Sequence, residues 1–200
     1  MPGVRSATPD DLPRVGAILA AAFVDDPVWN YITSPRADWI SRAAAWFEAD
    51  ARAQMQGHGE VLVDEEVRGV AIWSPPGRWK PTMKEAAAVA LPSVRLFRSR
   101  LPAAIRLLSQ IERAHPSEPP HWFLALLGTD PAHQGRGVGG ALIQAVTSRC
   151  DGQSMGADVE ASKEENVAFY SRHGFELIET LAYRNAPPSW LMWRDPRLSG

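Results

Sequence analysis

The spacing of apolar residues divides the first half of the chain into short strands and amphipathic helices. A helix is predicted where apolar positions recur every three or four residues, and a strand where they alternate. Asp and Pro residues mark several of the boundaries. The predicted elements are an edge strand at 4–7, helices at 12–22 and from Ser34-Pro35 to the loop at 57–59, a hairpin at 60–64 and 68–73, and two or three short helices within 82–114.

The second half of the chain is organised around the stretch from His121 to Leu142. Its apolar run 122–127 is too short for a free-standing helix and is closed by Gly128 and Pro131, so a buried strand is predicted. A glycine-rich loop and a helix follow. The remaining predicted elements are a strand at 157–161, a helix with a capping box of Ser162 and Glu165 and an end at Gly174, and an antiparallel pair at 175–183 and 190–194. This order predicts an α/β domain on one mixed sheet.

Composition excludes several classes of function. With 200 residues, 45% of them apolar and 22% charged, the chain suits one globular domain, and its net charge of −2 argues against a nucleic-acid partner. The single Cys150 provides neither a disulfide framework nor a cysteine-based zinc site, so no metal is expected. The polar start does not resemble a secretory signal, and no apolar run approaches the roughly 18 residues of a membrane span. A cytoplasmic protein without a membrane partner is expected.

The glycine-rich loop is the candidate binding site. Its glycines allow the backbone to approach a ligand, and the following helix would direct free N–H groups at a phosphate-bearing anion. Gly135, Gly137 and Gly140, with Glu160 about 20 residues further on, satisfy the dinucleotide-binding pattern. Only one helix and a hairpin follow Glu160, which is too little for repeated βαβ units. A dinucleotide-dependent oxidoreductase is therefore a remote alternative.

A second pattern in the same loop carries more information. Gln134-x-x-Gly137-x-Gly139 follows a buried strand and resembles the acyl-CoA pyrophosphate loop of the GNAT superfamily of N-acetyltransferases. The other half of that signature follows in order as Asn166, Phe169-Tyr170 and Gly174-Phe175. The resemblance implies acetyl-CoA-dependent N-acetyltransferase activity. It also implies a single mixed, mostly antiparallel sheet with helices on both faces and central strands splayed at the acyl-CoA site.

Further stretches resemble puromycin N-acetyltransferase-like members of this superfamily. They include Ala7-Thr8 with Asp10-Asp11, EPPHWFLALLG at 118–128 and NVAFYSRHGF at 166–175. The resemblance implies one domain over 1–200, with an acceptor-side half at 1–115 that contains a helical insertion and an acetyl-CoA-binding half at 116–200. It is weakest between 28 and 115, where the family builds its acceptor pocket. The donor is therefore better specified than the acceptor.

The resemblance assigns the acetyl-CoA site to two stretches and one side chain. The end of the central strand pairs with the pantetheine arm, and one N–H there polarises the thioester carbonyl. The loop surrounds the pyrophosphate, with an added charge-assisted contact from Arg136. The implied cofactor-binding residues are Leu127, Gly128, Thr129, Gln134, Gly135, Arg136, Gly137, Val138, Gly139, Gly140 and Asn166.

Two residues are predicted to move protons. A phenol beside the CoA sulfur can protonate the departing thiolate, and Tyr170 is the predicted general acid. The acceptor amine must lose a proton, for which Glu160 is the predicted base. Asp158 shares its strand face with Glu160 by alternation. Which of the two carboxylates faces the site, or whether a water chain serves instead, stays open from the sequence.

The predicted acceptor is a primary amine of a small molecule, antibiotic-like amines included, attacked directly within a ternary complex. Trp29 and Tyr31, in an irregular Asp-Pro segment, are candidates for its cleft, and Asp26 is a candidate for attracting a cationic amine. The alternatives are a protein or peptide amine as acceptor and a non-catalytic acyl-CoA-binding regulatory module. A monomer or a homodimer is expected.

Overall fold

A seven-stranded sheet runs through the protein. A computed structural model describes residues 2–33 and 37–197. The strands lie in the order β1-β2-β3-β4-β5-β7-β6, and within the described residues only β4 and β5 pair in parallel. The predicted mixed, mostly antiparallel sheet is therefore confirmed. Its strands are β1 (Val4–Ser6), β2 (Glu60–Asp64), β3 (Gly69–Ser74), β4 (His121–Thr129), β5 (Gly156–Ala161), β6 (Glu176–Leu181) and β7 (Ser189–Arg194).

Seven described helices flank the sheet. They are α1 (Leu12–Ala22), α2 (Pro27–Thr33), α3 (Trp39–Gln56), α4 (Met83–Phe97), α5 (Leu101–Ala114), α6 (Val138–Gly152) and α7 (Val167–Arg172). The region 82–114 forms two helices, and Pro102 lies in the first turn of α5, where its missing N–H costs nothing. The predicted helix start near Ser34-Pro35 lies outside the described residues. None of the described helices combines the length and apolar character that a bilayer crossing requires.

Alternation along the strands divides the core into two layers. Val61, Val63, Val70 and Ile72 point into a core with α1, α3, α4 and α5. Their neighbours Leu62, Ala71 and Trp73 point to the opposite face, where α6 and α7 pack. Successive side chains of a strand must face opposite sides, so one buried hairpin contributes to both layers. The prediction of helices on both faces is confirmed.

A one-residue bulge interrupts this alternation in β4. Trp73 pairs with Leu124 and Ile72 pairs with Leu126, which leaves Ala125 as the extra residue. Before the bulge Leu124 faces the α6 layer; beyond it Leu126 faces the α1 layer and Leu127 faces the α6 layer. An extra residue reverses which side chains face each side and bends the strand. The side chains of the last four residues of β4 therefore point to the opposite faces from those that regular alternation would give them.

A buried ion pair ties the C-terminal elements together. The Arg194 side chain is 3% exposed, and its two terminal nitrogens each donate to one oxygen of Asp151 at 2.8 Å. Its Nε donates to the carbonyl oxygen of His173 at 3.3 Å. The guanidinium therefore joins the last turn of α6, strand β7 and the residue that follows α7.

We expect Asp151→Ala to lower the free energy of unfolding by about 3 kcal/mol, because it leaves the buried Arg194 guanidinium without a counter-charge. Urea denaturation provides the measurement. Glu48→Ala is the matched control: it removes a carboxylate that pairs with Arg52 at 3.0 Å on an exposed helix face, and should cost less than about 0.5 kcal/mol. Equal, small losses in both variants would contradict the assignment of Arg194 as a buried clamp.

Candidate active site

The strands β4 and β5 part near the middle of the sheet. Their parallel pairing runs from His121 opposite Gly156 to Leu124 opposite Val159 and stops there, one residue before the bulge. Strand β4 nevertheless continues to Thr129 and β5 to Ala161. The backbone of Leu127–Thr129 is therefore open on the side of β5. The predicted splay of the central strands is confirmed.

The glycine loop lies between the end of β4 and the start of α6. Gly135 and Gly137 have φ angles of +74° and +79°, in the region that disfavours other residues, and Gly137 is the N-cap of α6. A Cβ added at either would have nothing within 4 Å. The loop is exposed, and the first N–H groups of α6 have no acceptor within the helix. Shape and donors together fit an anion at this helix end.

Gly139 and Gly140 face helix α7. A Cβ on Gly139 would lie 3.4 Å from Cζ of Phe169, and one on Gly140 would lie 2.8 Å from Cε1 of His173. These two glycines therefore let the first turn of α6 pack against α7. Only Gly135 and Gly137 are required by the loop's own conformation. The contact with α7 brings the loop next to the helix that carries Tyr170.

Tyr170 lies on the buried side of α7. It is 7% exposed and packs against Phe169 and Phe175, with ring centroids 5.3 and 6.0 Å away. Burial raises the pKa of Tyr170, and the nearby Asp26 carboxylate raises it further. The phenol is therefore held in its protonated form. Asn166 ends the 3-10 turn Glu164–Asn166 immediately before α7.

Asp26 connects the two halves of the chain next to Tyr170. Its carboxylate accepts the N–H groups of Val28 at 2.9 Å and Trp29 at 3.0 Å, and so caps the start of α2. Its other oxygen accepts the hydroxyl of Ser162, beyond the end of β5. The capping box predicted for Ser162 and Glu165 is wrong, since this bond with Asp26 occupies the serine and Lys163 is the N-cap of the turn. Asp26 is only 1% exposed, and burial raises its pKa.

Glu160 is the carboxylate at the splay. It lies one residue beyond the last parallel pair and accepts the hydroxyls of Tyr183 and Ser189, both at 2.5 Å, on the same oxygen. Burial raises the pKa of Glu160, and the two hydroxyls oppose that rise. Neither Tyr183 nor Ser189 is predicted from the sequence as a site residue. Their position on either side of the turn between β6 and β7 is the signal that could have indicated them.

Asp158 faces the same side of β5 as Glu160 but has other neighbours. It pairs with Phe123 within the parallel ladder, is fully buried, and lies near His115 and His121 rather than at the splay. Strand alternation alone does not separate the positions of these two carboxylates. In the structure Glu160 lies where the strands part, and Asp158 lies where they are still paired.

Comparison with known proteins agrees with this geometry. Residues 102–177 match the family model described as an acetyltransferase (GNAT) domain. A Corynebacterium glutamicum structure described as a histone acetyltransferase and related acetyltransferase is similar over 99% of this chain and 98% of its own, with 25% identity and a TM-score of 0.68. A Drosophila melanogaster polyamine N-acetyltransferase is similar over 96% and 98%, with 18% identity and a TM-score of 0.62. The protein is a GNAT-fold acetyltransferase.

In this acetyltransferase an open cavity of about 760 Å³ adjoins the Asp26–Ser162 bond. Its walls come from the connection between α1 and α2, the first residue of α2, the turn before α7, the β6–β7 turn and the start of β7. Three carboxylates face it against one ammonium group. The lining residues are Asp25, Pro27, Ser162, Lys163, Glu164, Glu165, Pro187, Pro188 and Trp190.

The acceptor residues predicted from the sequence lie deeper than this cavity. The segment of Trp29 and Tyr31 is expected to be irregular, but the structure shows that it forms helix α2. Trp29 contacts the rings of Phe23, Trp39, Trp46 and Phe47 at centroid distances of 4.8 to 6.3 Å. Tyr31 is half-buried and also packs on the α1–α3 core. Asp26 touches the cavity lining through its bond with Ser162.

Ser162→Ala should lower the free energy of unfolding by about 1–3 kcal/mol, because it leaves one oxygen of the buried Asp26 without a donor. Chemical denaturation followed by tryptophan fluorescence measures this. The matched control is Ser109→Ala, which removes an exposed hydroxyl that bonds to the carbonyl of Ile105 at 2.9 Å, and its effect should stay within about 0.5 kcal/mol. Indistinguishable variants would show that the bond between Ser162 and Asp26 contributes nothing to stability.

Proposed function

We propose that this acetyltransferase uses acetyl-CoA to acetylate a primary amine of a small cationic molecule by direct attack within a ternary complex. One observation carries the proposal: the open end of β4, the glycine loop and the helix of Tyr170 meet at the parted strands, beside an acidic cavity. Acetyl-CoA supplies the activated thioester. The protein's residues bind it, orient the amine and move the protons.

The donor site is assigned to β4 and the loop. The open backbone of Leu127–Thr129 provides N–H and C=O groups for an extended amide-containing arm, and one N–H there can polarise a carbonyl. Residues 134–140 comprise the loop, with positive φ at Gly135 and Gly137, and the first turn of α6, and their N–H groups suit a pyrophosphate. The exposed Arg136 adds a positive charge, and Asn166 lies at the start of α7, where it can contact the arm.

Tyr170 is proposed as the general acid. A proton donor must remain protonated until the thiolate leaves, and burial together with Asp26 keeps the phenol protonated. Its helix contacts the first turn of α6 through Phe169 and Gly139. The hydroxyl is thereby fixed relative to the loop that positions the donor.

Glu160 is proposed as the base that accepts the proton of the attacking amine. It lies at the parted strands, and two hydroxyl groups fix the orientation of its carboxylate through a single oxygen. The second oxygen is left for the amine or for a bridging water. Tyr183 and Ser189 act as positioning residues in this arrangement.

The acidic cavity is proposed as the acceptor site. Asp25, Glu164 and Glu165 outnumber Lys163, whose ammonium lies 3.7 Å from Glu165, so the local field attracts a cation. Asp26 and Trp29 are proposed to shape this site through α2 and Ser162 rather than by touching the acceptor. On this proposal residues 1–115 supply the α1–α2 wall and residues 116–200 supply the donor site.

Tyr170→Phe removes only the hydroxyl from a buried ring, so we expect an intact fold, unchanged affinity for CoA and a fall in kcat of about 100-fold or more. Steady-state thiol release with a turned-over amine gives kcat, and calorimetry gives the CoA affinity of the same variant. Unchanged kcat would exclude Tyr170 as the acid. A fall in kcat matched by lost CoA binding would assign it a binding role instead.

Gly137→Asp should weaken CoA binding at least about 100-fold. A carboxylate about 5 Å from the pyrophosphate would repel each of its charges by about 3 kcal/mol at an effective dielectric constant of about 20. Gly152→Asp adds the same charge at the opposite end of α6, where a Cβ meets nothing within 4 Å, and should bind CoA normally. Equal affinities in calorimetry would disprove the assignment of the loop.

A further inference from the structure

Three buried side chains converge away from the splay, on the face of the sheet covered by α5. His115 follows α5, His121 is the first residue of β4, and Asp158 lies on β5. Their side chains are 4%, 4% and 0% exposed. Nε2 of His121 lies 3.3 Å from Oδ1 of Asp158 and 3.4 Å from Nε2 of His115, and Nδ1 of His115 lies 3.6 Å from Oδ2 of Asp158.

The hydrogen bonding of this cluster is incomplete. Nδ1 of His121 donates to the carbonyl oxygen of Pro119 at 2.7 Å, so the neutral ring presents the lone pair of Nε2 to the other two side chains. Within the described part of the chain, neither oxygen of Asp158 has a hydrogen-bond partner of acceptable geometry. Buried acceptors that face one another in this way are unfavourable unless a cation lies between them, either a proton on Nε2 of His121, 3.3 Å from Asp158, or a metal ion that all three side chains share.

The spacing of the ligand atoms suits a small transition-metal ion. Nitrogen and oxygen ligands bind zinc at about 2.0–2.1 Å in a tetrahedron, which places neighbouring ligand atoms about 3.3 Å apart. One atom from each of the three residues lies within 4.8 Å of the others, and the two contacts of His121 are close to the tetrahedral spacing. A metal-bound histidine usually donates a hydrogen bond from its second ring nitrogen to a backbone carbonyl or a carboxylate, as Nδ1 of His121 does to Pro119.

We propose that His115, His121 and Asp158 form a binding site for a divalent transition-metal ion, zinc above all, with a fourth position for water. Two imidazoles and one carboxylate form a recognised donor set for zinc. The rings of Trp79 and Phe123 lie 3.9 and 4.8 Å from the His115 ring and shield it. The ion fastens the proline-rich connection between α5 and β4 to strand β5, two residues from Glu160.

The sequence alone gives no indication of this site. The expectation of no metal rests on the single cysteine, and the spacing of the two histidines follows no zinc motif. Only the parallel pairing of β4 with β5 and the return of the chain after α5 bring His115 and His121 to Asp158. These contacts do not depend on the acetyl-transfer proposal.

The test uses full-length protein without a histidine tag, stripped with a chelator and titrated with Zn²⁺ in a calorimeter. We expect one equivalent to bind with a micromolar or lower Kd and to raise the thermal midpoint, because ligand that binds only the folded state stabilises it. Mg²⁺ should do neither, since it prefers oxygen ligands. Co²⁺ should give the visible absorption of a four-coordinate site.

His121→Ala and Asp158→Asn should each weaken Zn²⁺ binding at least about tenfold, with circular dichroism to verify folding. The matched control is His58→Ala, which removes an exposed histidine that contacts Arg78 and should bind zinc as the unaltered protein does. Failure of the unaltered protein to bind Zn²⁺, or equal affinity in His121→Ala, would overturn the proposal. The Co²⁺ spectrum keeps the proposal testable even if a variant does not fold.

Discussion

The bulge at Ala125 is the constraint on which the other features of the site depend. One extra residue re-aims the end of β4 and coincides with the loss of its pairing to β5. Backbone hydrogen-bonding groups are left open in the interior of a sheet, a place where they are normally paired. The acetyl-transfer site is proposed at this opening, because an extended ligand can complete the ladder that the bulge interrupts.

Several contacts hold the surrounding elements around this opening. Gly139 and Gly140 let α6 approach α7, Arg194 fixes the end of α7 to β7, and Ser162 binds Asp26 at the start of α2. The last contact joins residues 136 positions apart. Because Asp26 is buried, its charge acts on Tyr170 and on helix α2, whereas the carboxylates of the cavity are exposed. In the proposed function, proton donation by Tyr170 and binding of the acceptor therefore depend on different carboxylates.

The local spacing of apolar residues predicts much of the fold, because the buried residues of α1, of the β2–β3 hairpin and of β4 each follow a recognisable sequence pattern. The glycine loop is likewise visible in the sequence, since positive φ and close approach both demand glycine. Contacts between distant segments cannot be found this way. Ser162 resembles a helix cap until the fold places Asp26 beside it, Tyr183 and Ser189 meet Glu160 only after β7 inserts between β5 and β6, and the histidines gain their partner only through the parallel ladder.

The central claim is direct transfer from acetyl-CoA to a cationic primary amine, and the most direct measurement follows both products of a single reaction. The protein is incubated with acetyl-CoA and a panel of amines that includes polyamines, puromycin and neutral analogues. Thiol release is then compared with the mass of the amine and of the protein. We predict thiol release that depends on a cationic amine, and this amine gains one acetyl group while the protein gains none. Acetylated protein in the absence of amine, or no amine-dependent release from any member of the panel, would contradict it.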